Sequence, residues 1–311
     1  MRNKGHSGLR LIKQQGKLNK QQKSEIRISK IIKMQDRKTP VGVFDSGYGG
    51  LTVLKEMRSK LPMYDFLYLG DNARTPYGTR SFRVVYEYTL QSVQYLFSQD
   101  CPLVILACNT ASAKALRNIQ QLDLQRIAPD RRILGVIRPC VEKVAEITCN
   151  GRVGVLGTPG TVASMSYPIE LEKWSSGKVR STVQEACPMW VPLVENSELD
   201  TPGTDYFVEK NIRNLLGKDP CLDTIILGCT HYPLLLPTIT KYLPENINLV
   251  NQGAVVAEKL TDYLLRHPEM ETRISKGGTT RYLTTETSEI FESKAGLFLG
   301  ETVEAETVML K

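Results

Sequence analysis

The sequence predicts an α/β fold of two pseudo-symmetric domains, each a mainly parallel sheet covered by helices, with the active site in the cleft between them. Three observations lead there. From residue 41 onward short apolar runs alternate with longer helical stretches. The runs are apolar throughout rather than at every second position, the pattern of strands covered on both faces. Two strand-end motifs also recur in the same order in each half of the chain.

Taken in order, strands are expected at 41–44 (V-G-V-F), 66–69 (F-L-Y-L), 103–107 (L-V-I-L-A), 133–136 (I-L-G-V), 153–156 (V-G-V-L), 224–227 (T-I-I-L), 248–250 (N-L-V) and 281–283 (R-Y-L). Helices are expected between them at 51–59, 82–99, 112–121, 140–147 and 254–266, the crossovers that parallel strands require. Sheets of this kind bind ligands beyond the carboxyl ends of their strands, so the residues just after each strand come first. There V-G-V-F-D-S-G at 41–47 is echoed by V-G-V-L-G-T-P-G at 153–160, and L-A-C-N-T at 106–110 by L-G-C-T-H at 227–231. Either match alone is ordinary; the paired order points to two related domains, each presenting one cysteine to a shared cleft.

With 311 residues, 41% hydrophobic and 23% charged, the chain is long enough for about two domains and a large core. The longest apolar runs, such as 103–108, fall far short of the roughly 18 residues a membrane span needs. The net charge of +7 is unevenly placed. Residues 1–38 hold twelve Lys/Arg against Glu25 and Asp36, while the remainder has 28 bases and 31 acids. That basic stretch reads as a disordered N-terminal extension, with Met34 as a candidate start; nucleic-acid binding by the arm is the lesser reading and a transit peptide a third. Seven cysteines, an odd number without C-x-x-C spacing, favour a reducing cytoplasm over disulfides, and three histidines (His6, His231, His267) argue against a metal site.

Cys108 and Cys229 each follow an apolar strand and precede a helical segment, where a helix N-terminus would lower a thiol pKa. For either alone, a buried structural cysteine is the default. Two thiols on opposite faces of one carbon suit a specific reaction: one removes a proton, the other returns one to the far face, and the stereocentre inverts without a cofactor. Asp45 and His231 stand near the cysteines in motif order and suit proton holding. Asn109, Thr110 and Thr230 offer neutral hydrogen bonds. The loop Ser46-Gly47-Tyr48-Gly49-Gly50 allows close approach of backbone N–H groups to an anion, and reads equally as a tight turn, as does Pro76-Tyr77-Gly78.

With those residues in view, V-G-V-F-D-S-G-Y-G-G-L-T-V-L at 41–54, G-D-N-A-R-T-P-Y-G at 70–78, A-C-N-T-A-S-A at 107–113, G-T-P-G-T at 157–161, C-P-M-W-V-P-L-V-E at 187–195 and L-G-C-T-H-Y-P-L-L at 227–235 resemble the glutamate racemases over about residues 41–285. The resemblance implies cofactor-independent interconversion of L- and D-glutamate, the latter for peptidoglycan, by a cytoplasmic homodimer. By motif position it makes Cys108 and Cys229 the proton donor/acceptors, the first serving the D- and the second the L-enantiomer. Asp45, His231 and Glu195 become their assistants, and Asp45, Ser46, Tyr77, Gly78, Asn109, Thr110, Thr230 and His231 the substrate contacts. Glu195 also reads as a solvated loop carboxylate, and Thr158 and Thr161 as either cleft lining or a plain turn. The family's crossing connection places one domain at 39–132 with 249–311 and the other at 133–248. Arg138 stands where the family more often has Glu or Gln, a departure in the hinge region.

Three competitors are weighed against this. An aspartate or other amino-acid racemase would share the two-thiol chemistry. A thiol redox or phosphate-binding protein is disfavoured by cysteines 121 residues apart and by a glycine loop without the Lys-Ser/Thr ending. A binding protein dominated by its basic arm is the third; deleting residues 1–33 discriminates, since catalysis should survive and salt-sensitive nucleic-acid binding should vanish.

Overall fold

The computed structural model describes residues 38–310, so the basic stretch and Met34 lie outside the described residues, except for Lys38. Two sheets form, and every pairing in them is parallel. The first has the order β10-β9-β2-β1-β3-β4, from β1 (Val41–Asp45), β2 (Phe66–Gly70), β3 (Leu103–Leu106), β4 (Arg132–Gly135), β9 (Thr280–Thr284) and β10 (Ala305–Thr307). The second has the order β6-β5-β7-β8, from β5 (Arg152–Gly157), β6 (Ser181–Ala186), β7 (Thr224–Gly228) and β8 (Asn248–Val250). Within the first sheet β2-β1-β3-β4 repeats the order β6-β5-β7-β8, so the internal echo is a repeat of topology as well as of motif. Strands β1, β2, β3 and β7 are buried along their whole length, the consequence of their unbroken apolar sequences.

The helices that matter for the site are α1 (Gly50–Lys60), α2 (Phe82–Ser98), α3 (Asn109–Lys114), α4 (Ile137–Ile147), α5 (Pro159–Ala163), α6 (Ser166–Trp174), α7 (Trp190–Glu195), α8 (Pro202–Lys218), α9 (Leu236–Tyr242), α10 (Gln252–Arg266) and α11 (Ser288–Leu299). Helix α10 leaves the second sheet after β8 and packs along α1 of the first, with Gly253 tight against Glu56, so the returning chain ties the halves together. None of the helices among the described residues is long and apolar enough to cross a membrane.

Several expectations shift. The crossing expected near residue 132 falls at the first residue of β4, which pairs with β3 in the first sheet through Leu103↔Arg132 to Leu106↔Gly135. Strand β8, by contrast, stays with β7 in the second sheet through Ile226↔Val250. Crossings at 132 and 248 would cut both strands from the ladders that hold them, so the chain passes between sheets after Gly135 and after Val250. The helix expected at 112–121 starts at Asn109 and breaks at Ala115. Strands β6 and β10 were not expected, because S-T-V-Q-E-A and A-E-T are half-polar runs at sheet edges.

Candidate active site

In a 2-1-3-4 sheet the chain order reverses between the first and third strands, and the carboxyl ends on either side of that reversal frame a crevice. Asp45 closes β1 and Cys108 follows β3 across one such point; Thr158 follows β5 and Cys229 follows β7 across the other. The two points meet. A Cβ built on Gly49 would lie 2.3 Å from Thr230 Oγ1 and 2.4 Å from His231 Nδ1, and the Thr52 hydroxyl donates to the Thr230 carbonyl at 3.0 Å. On the other side Gly160 N–H donates to the Gly78 carbonyl at 2.7 Å, and Thr110 Oγ1 lies 3.0 Å from Thr158 Oγ1 and 3.4 Å from Thr161 Oγ1. Glycine is required at position 49 because the two halves approach closer there than any side chain allows.

Both cysteines are 6% exposed. Cys108 caps α3, its Sγ accepting from Ala111 N–H at 3.4 Å and donating to Ser46 Oγ at 3.3 Å. The expected thiolate-stabilising effect of that helix end is outweighed. Burial, reinforced by the Asp45 carboxylate, pushes the Cys108 thiol up to about 12, with Ser46 and Ala111 N–H offsetting only part. Cys108 therefore rests as a thiol. Cys229 does not head an α-helix as expected: Tyr232 N–H returns to its carbonyl at 3.2 Å and a 3-10 turn (Tyr232–Leu235) intervenes before α9. Its polar partner is instead His231, whose Nδ1 lies 3.8 Å from Cys229 Sγ. The other ring nitrogen, Nε2, is 2.9 Å from Glu195 Oε1 at the end of α7. Burial by itself lowers the imidazole pKa, but hydrogen bonds to Cys229 and Glu195 and their charges outweigh it and push His231 up to about 10.

This upward shift has a stability consequence. A protonated His231 held by its partners contributes stability that is fully present below its ordinary pKa of 6.5 and is lost as pH rises through about 10. Cys108 acts with the same sign between 9 and about 12. The thermal midpoint is expected to fall as pH rises from neutral toward 10, and His231→Gln to flatten that fall below pH 9, as followed by calorimetry.

Asp45 is buried, and burial is the chief cause that raises its carboxyl; His231 and the N–H groups of Gly50 and Gly47 oppose it. Its Oδ2 accepts from Gly47 N–H at 2.9 Å, while Oδ1 is a buried acceptor without a partner. Asp45 acts electrostatically on both Cys108 and His231, and Cys229 acts on Cys108. The two thiols thus lie within one electrostatic neighbourhood.

The remaining sequence-selected residues divide. Ser46, Thr110, Thr230 and Thr158 present hydroxyls around this neighbourhood. Tyr77 does not present its phenol, which is donated to the buried Asp71 carboxylate; Arg74 and Thr285 bind the same carboxylate. What the Tyr77-Gly78 turn offers is backbone. The Asn109 amide is likewise engaged: Nδ2 donates to Gln252 Oε1 at 2.7 Å, and Oδ1 accepts from Gln252 Nε2 at 2.6 Å and Tyr167 OH at 2.8 Å. Arg138, singled out in the hinge region, donates to Glu142 at 2.9 Å and covers the Trp174 ring at 3.7 Å.

Gln252 and Tyr167 were not found from sequence. Gln252 follows β8 by two residues, so the post-strand rule pointed at it; Tyr167 lies inside α6 with no motif around it. Together with Asn109 they join α3, α6 and α10 in one buried polar knot. Gln252→Leu leaves the buried Asn109 Nδ2 without its acceptor, while the Tyr167 hydroxyl keeps its bond to Asn109 Oδ1, and is expected to cost about 1–3 kcal/mol of stability, read as a lower denaturant midpoint.

The Asp/Glu/Hydantoin racemase family profile matches residues 54–260. The chain is 37% identical over 270 residues to the glutamate racemase of Persephonella marina (87% of this chain, 97% of the relative), and 37% identical over 273 residues to that of Streptococcus pyogenes serotype M4 (87% and 98%). Among solved structures, glutamate racemase RacE1 of Bacillus anthracis superposes with TM-score 0.79 at 32% identity over 88% of this chain and 98% of the other. The Francisella tularensis glutamate racemase, solved with D-glutamate, gives 0.77 at 30% over 89% and 98%. Two duplicated half-sheets, each ending in a cysteine at its topological reversal, and a match spanning nearly the whole of these relatives lead to one conclusion: the chain belongs to the Asp/Glu/hydantoin racemase family and is an amino-acid racemase, an isomerase.

Proposed function

We propose that this racemase interconverts L- and D-glutamate by passing the α-proton between Cys108 and Cys229, and that its D-glutamate serves peptidoglycan synthesis in the cytoplasm. A homodimer is part of the same reading. The carrying observation is that each strand-end thiol has its own polar relay, Ser46 at 3.3 Å from Cys108 and the His231–Glu195 pair on Cys229, with Asp45 acting on both sides.

In the L-to-D direction the Cys229 thiolate, faced by the His231 imidazolium, takes the α-proton and becomes a thiol. The C–H electron pair moves into the α-carboxylate, and the planar carbanion collects the Cys108 S–H proton on its other face. Cys108 is left as a thiolate. The high resting pKa of Cys108 suits it to the donor role, and the reverse direction starts from the opposite proton arrangement. The unpartnered Oδ1 of Asp45 suits the substrate ammonium, and the Thr110, Thr158 and Thr230 hydroxyls suit its carboxylates. Burial of both thiols keeps water from quenching the carbanion. Two bases and this polar cradle complete the chemistry without a cofactor or metal.

Incubation of each glutamate enantiomer in D2O tests the reading. Optical rotation should decay to zero with one deuterium incorporated at Cα per inversion. No exchange with either enantiomer overturns the function; faster turnover of aspartate overturns the substrate and leaves the chemistry. The L-to-D rate should also fall as pH passes through about 10, where the imidazolium facing Cys229 is lost. A pH profile unchanged in His231→Gln would contradict that role.

A further inference from the structure

Lys114 is the one lysine among the described residues that is buried, at 9% exposure. Lysines are almost never buried without a partner, because removing an ammonium from water is costly. The buried Arg131 follows this rule through Asp100 at 3.7 Å, and Lys218, Lys241 and Lys259 all pair with carboxylates. Lys114 has no carboxylate partner among the described residues: its Nζ donates to the Arg80 carbonyl at 2.7 Å, and burial alone pulls its pKa down. The ammonium sits at the seam. A Cβ on Gly160 would lie 2.9 Å from Lys114 Nζ and 2.7 Å from the Gly78 carbonyl, and a Cβ on Gly78 would lie 2.9 Å from Thr158 Cβ. Lys114 therefore stands directly behind the 77–80 and 158–160 turns where the halves close.

A charge balance says what it is for. The cleft holds two carboxylates, Asp45 and Glu195, and one imidazolium, His231. A substrate with two carboxylates and one ammonium adds a further negative charge, with no cation yet assigned to it. Lys114 closes the helix that Cys108 opens, and its Nζ reaches the Gly78–Gly160 contact beside Thr158. We propose that Lys114 is a specificity-determining residue, whose ammonium acts through the adjoining turns to favour a substrate with an ionised side-chain carboxylate over a neutral one. The proposal rests on the glutamate reading above.

Lys114→Gln keeps a donor for the Arg80 carbonyl and removes the charge, and Lys114→Arg keeps the charge. At low ionic strength the Gln variant is expected to raise KM for glutamate about ten-fold or more with kcat changed much less, and to reduce the preference for glutamate over its isosteric amide glutamine by a similar factor. Lys114→Arg should restore most of both. A Gln variant with wild-type KM and wild-type preference overturns the proposal and leaves a structural clamp. If that variant does not fold, thermal shifts of the wild-type protein decide: glutarate should stabilise it more than glutaramate, and equal stabilisation overturns the proposal. A wild-type protein that turns over no glutamate defeats the functional reading instead, so the two failures are distinct.

Discussion

Cys229→Ala is expected to racemise glutamate at no more than about a hundredth to a ten-thousandth of the wild-type rate, and Cys108→Ala to do the same. Each inversion needs one thiol to remove a proton and the other to supply it, so neither can be spared. Because the two enantiomers have equal free energy, kcat/KM must fall by the same factor in both directions, whichever thiol is lost. The asymmetry between the sides shows elsewhere. With Cys108 absent, Cys229 still reaches one face of the substrate, so L-glutamate in D2O should exchange its α-proton with retention; with Cys229 absent, exchange should favour D-glutamate. Circular dichroism follows inversion and NMR follows exchange. Near-wild-type inversion by either variant excludes the two-thiol mechanism.

Gly49→Ala is expected to reduce kcat/KM by about ten- to a hundred-fold while leaving both thiols in place. The added methyl would meet Thr230 Oγ1 at 2.3 Å and His231 Nδ1 at 2.4 Å, so the β1–α1 loop or the Cys229–Thr230–His231 turn must move. Overpacking of this kind costs about 1–3 kcal/mol, and each 1.4 kcal/mol is a factor of ten in rate. The imidazole has little room to yield, since Glu195 holds one nitrogen and Phe298 meets the ring edge-on at 5.4 Å. The His231-dependent alkaline limb should shift in this variant along with the rate. A wild-type rate with a wild-type pH profile would mean that the seam relaxes away from His231.

How much of this was legible in the sequence depended on whether the cause was local. Strands β1, β3, β5 and β7 were legible because burial on both faces leaves an unbroken apolar run. Edge strands β6 and β10 carry S-T-V-Q-E-A and A-E-T and resemble any polar loop. The cysteine positions after β3 and β7 were legible from the paired motifs, but the protonation state of Cys108 was not, because desolvation by distant parts of the chain opposes the local helix end. Glu195 was linked to the cysteines by resemblance alone and read locally as a loop carboxylate; its partner His231 is 36 residues away and the two meet only when α7 packs beside the β7 turn. The Asn109–Gln252–Tyr167 knot spans 143 residues of chain and combines residues that no short motif links.

The burial of Cys108 gives the proposed enzyme a memory. Substrate inversion has an equilibrium constant of one, yet the protein that releases D-glutamate is not the protein that bound L-glutamate: its two thiols have exchanged charge states. One of those states, with the proton on Cys108 and the His231 imidazolium facing Cys229, is favoured at rest. The enzyme must therefore relax between turnovers in one direction and be driven uphill before turnovers in the other. A catalyst neutral toward its reactants is thus rectified in its own protons, and the bias should grow visible as substrate concentration outpaces that internal reset.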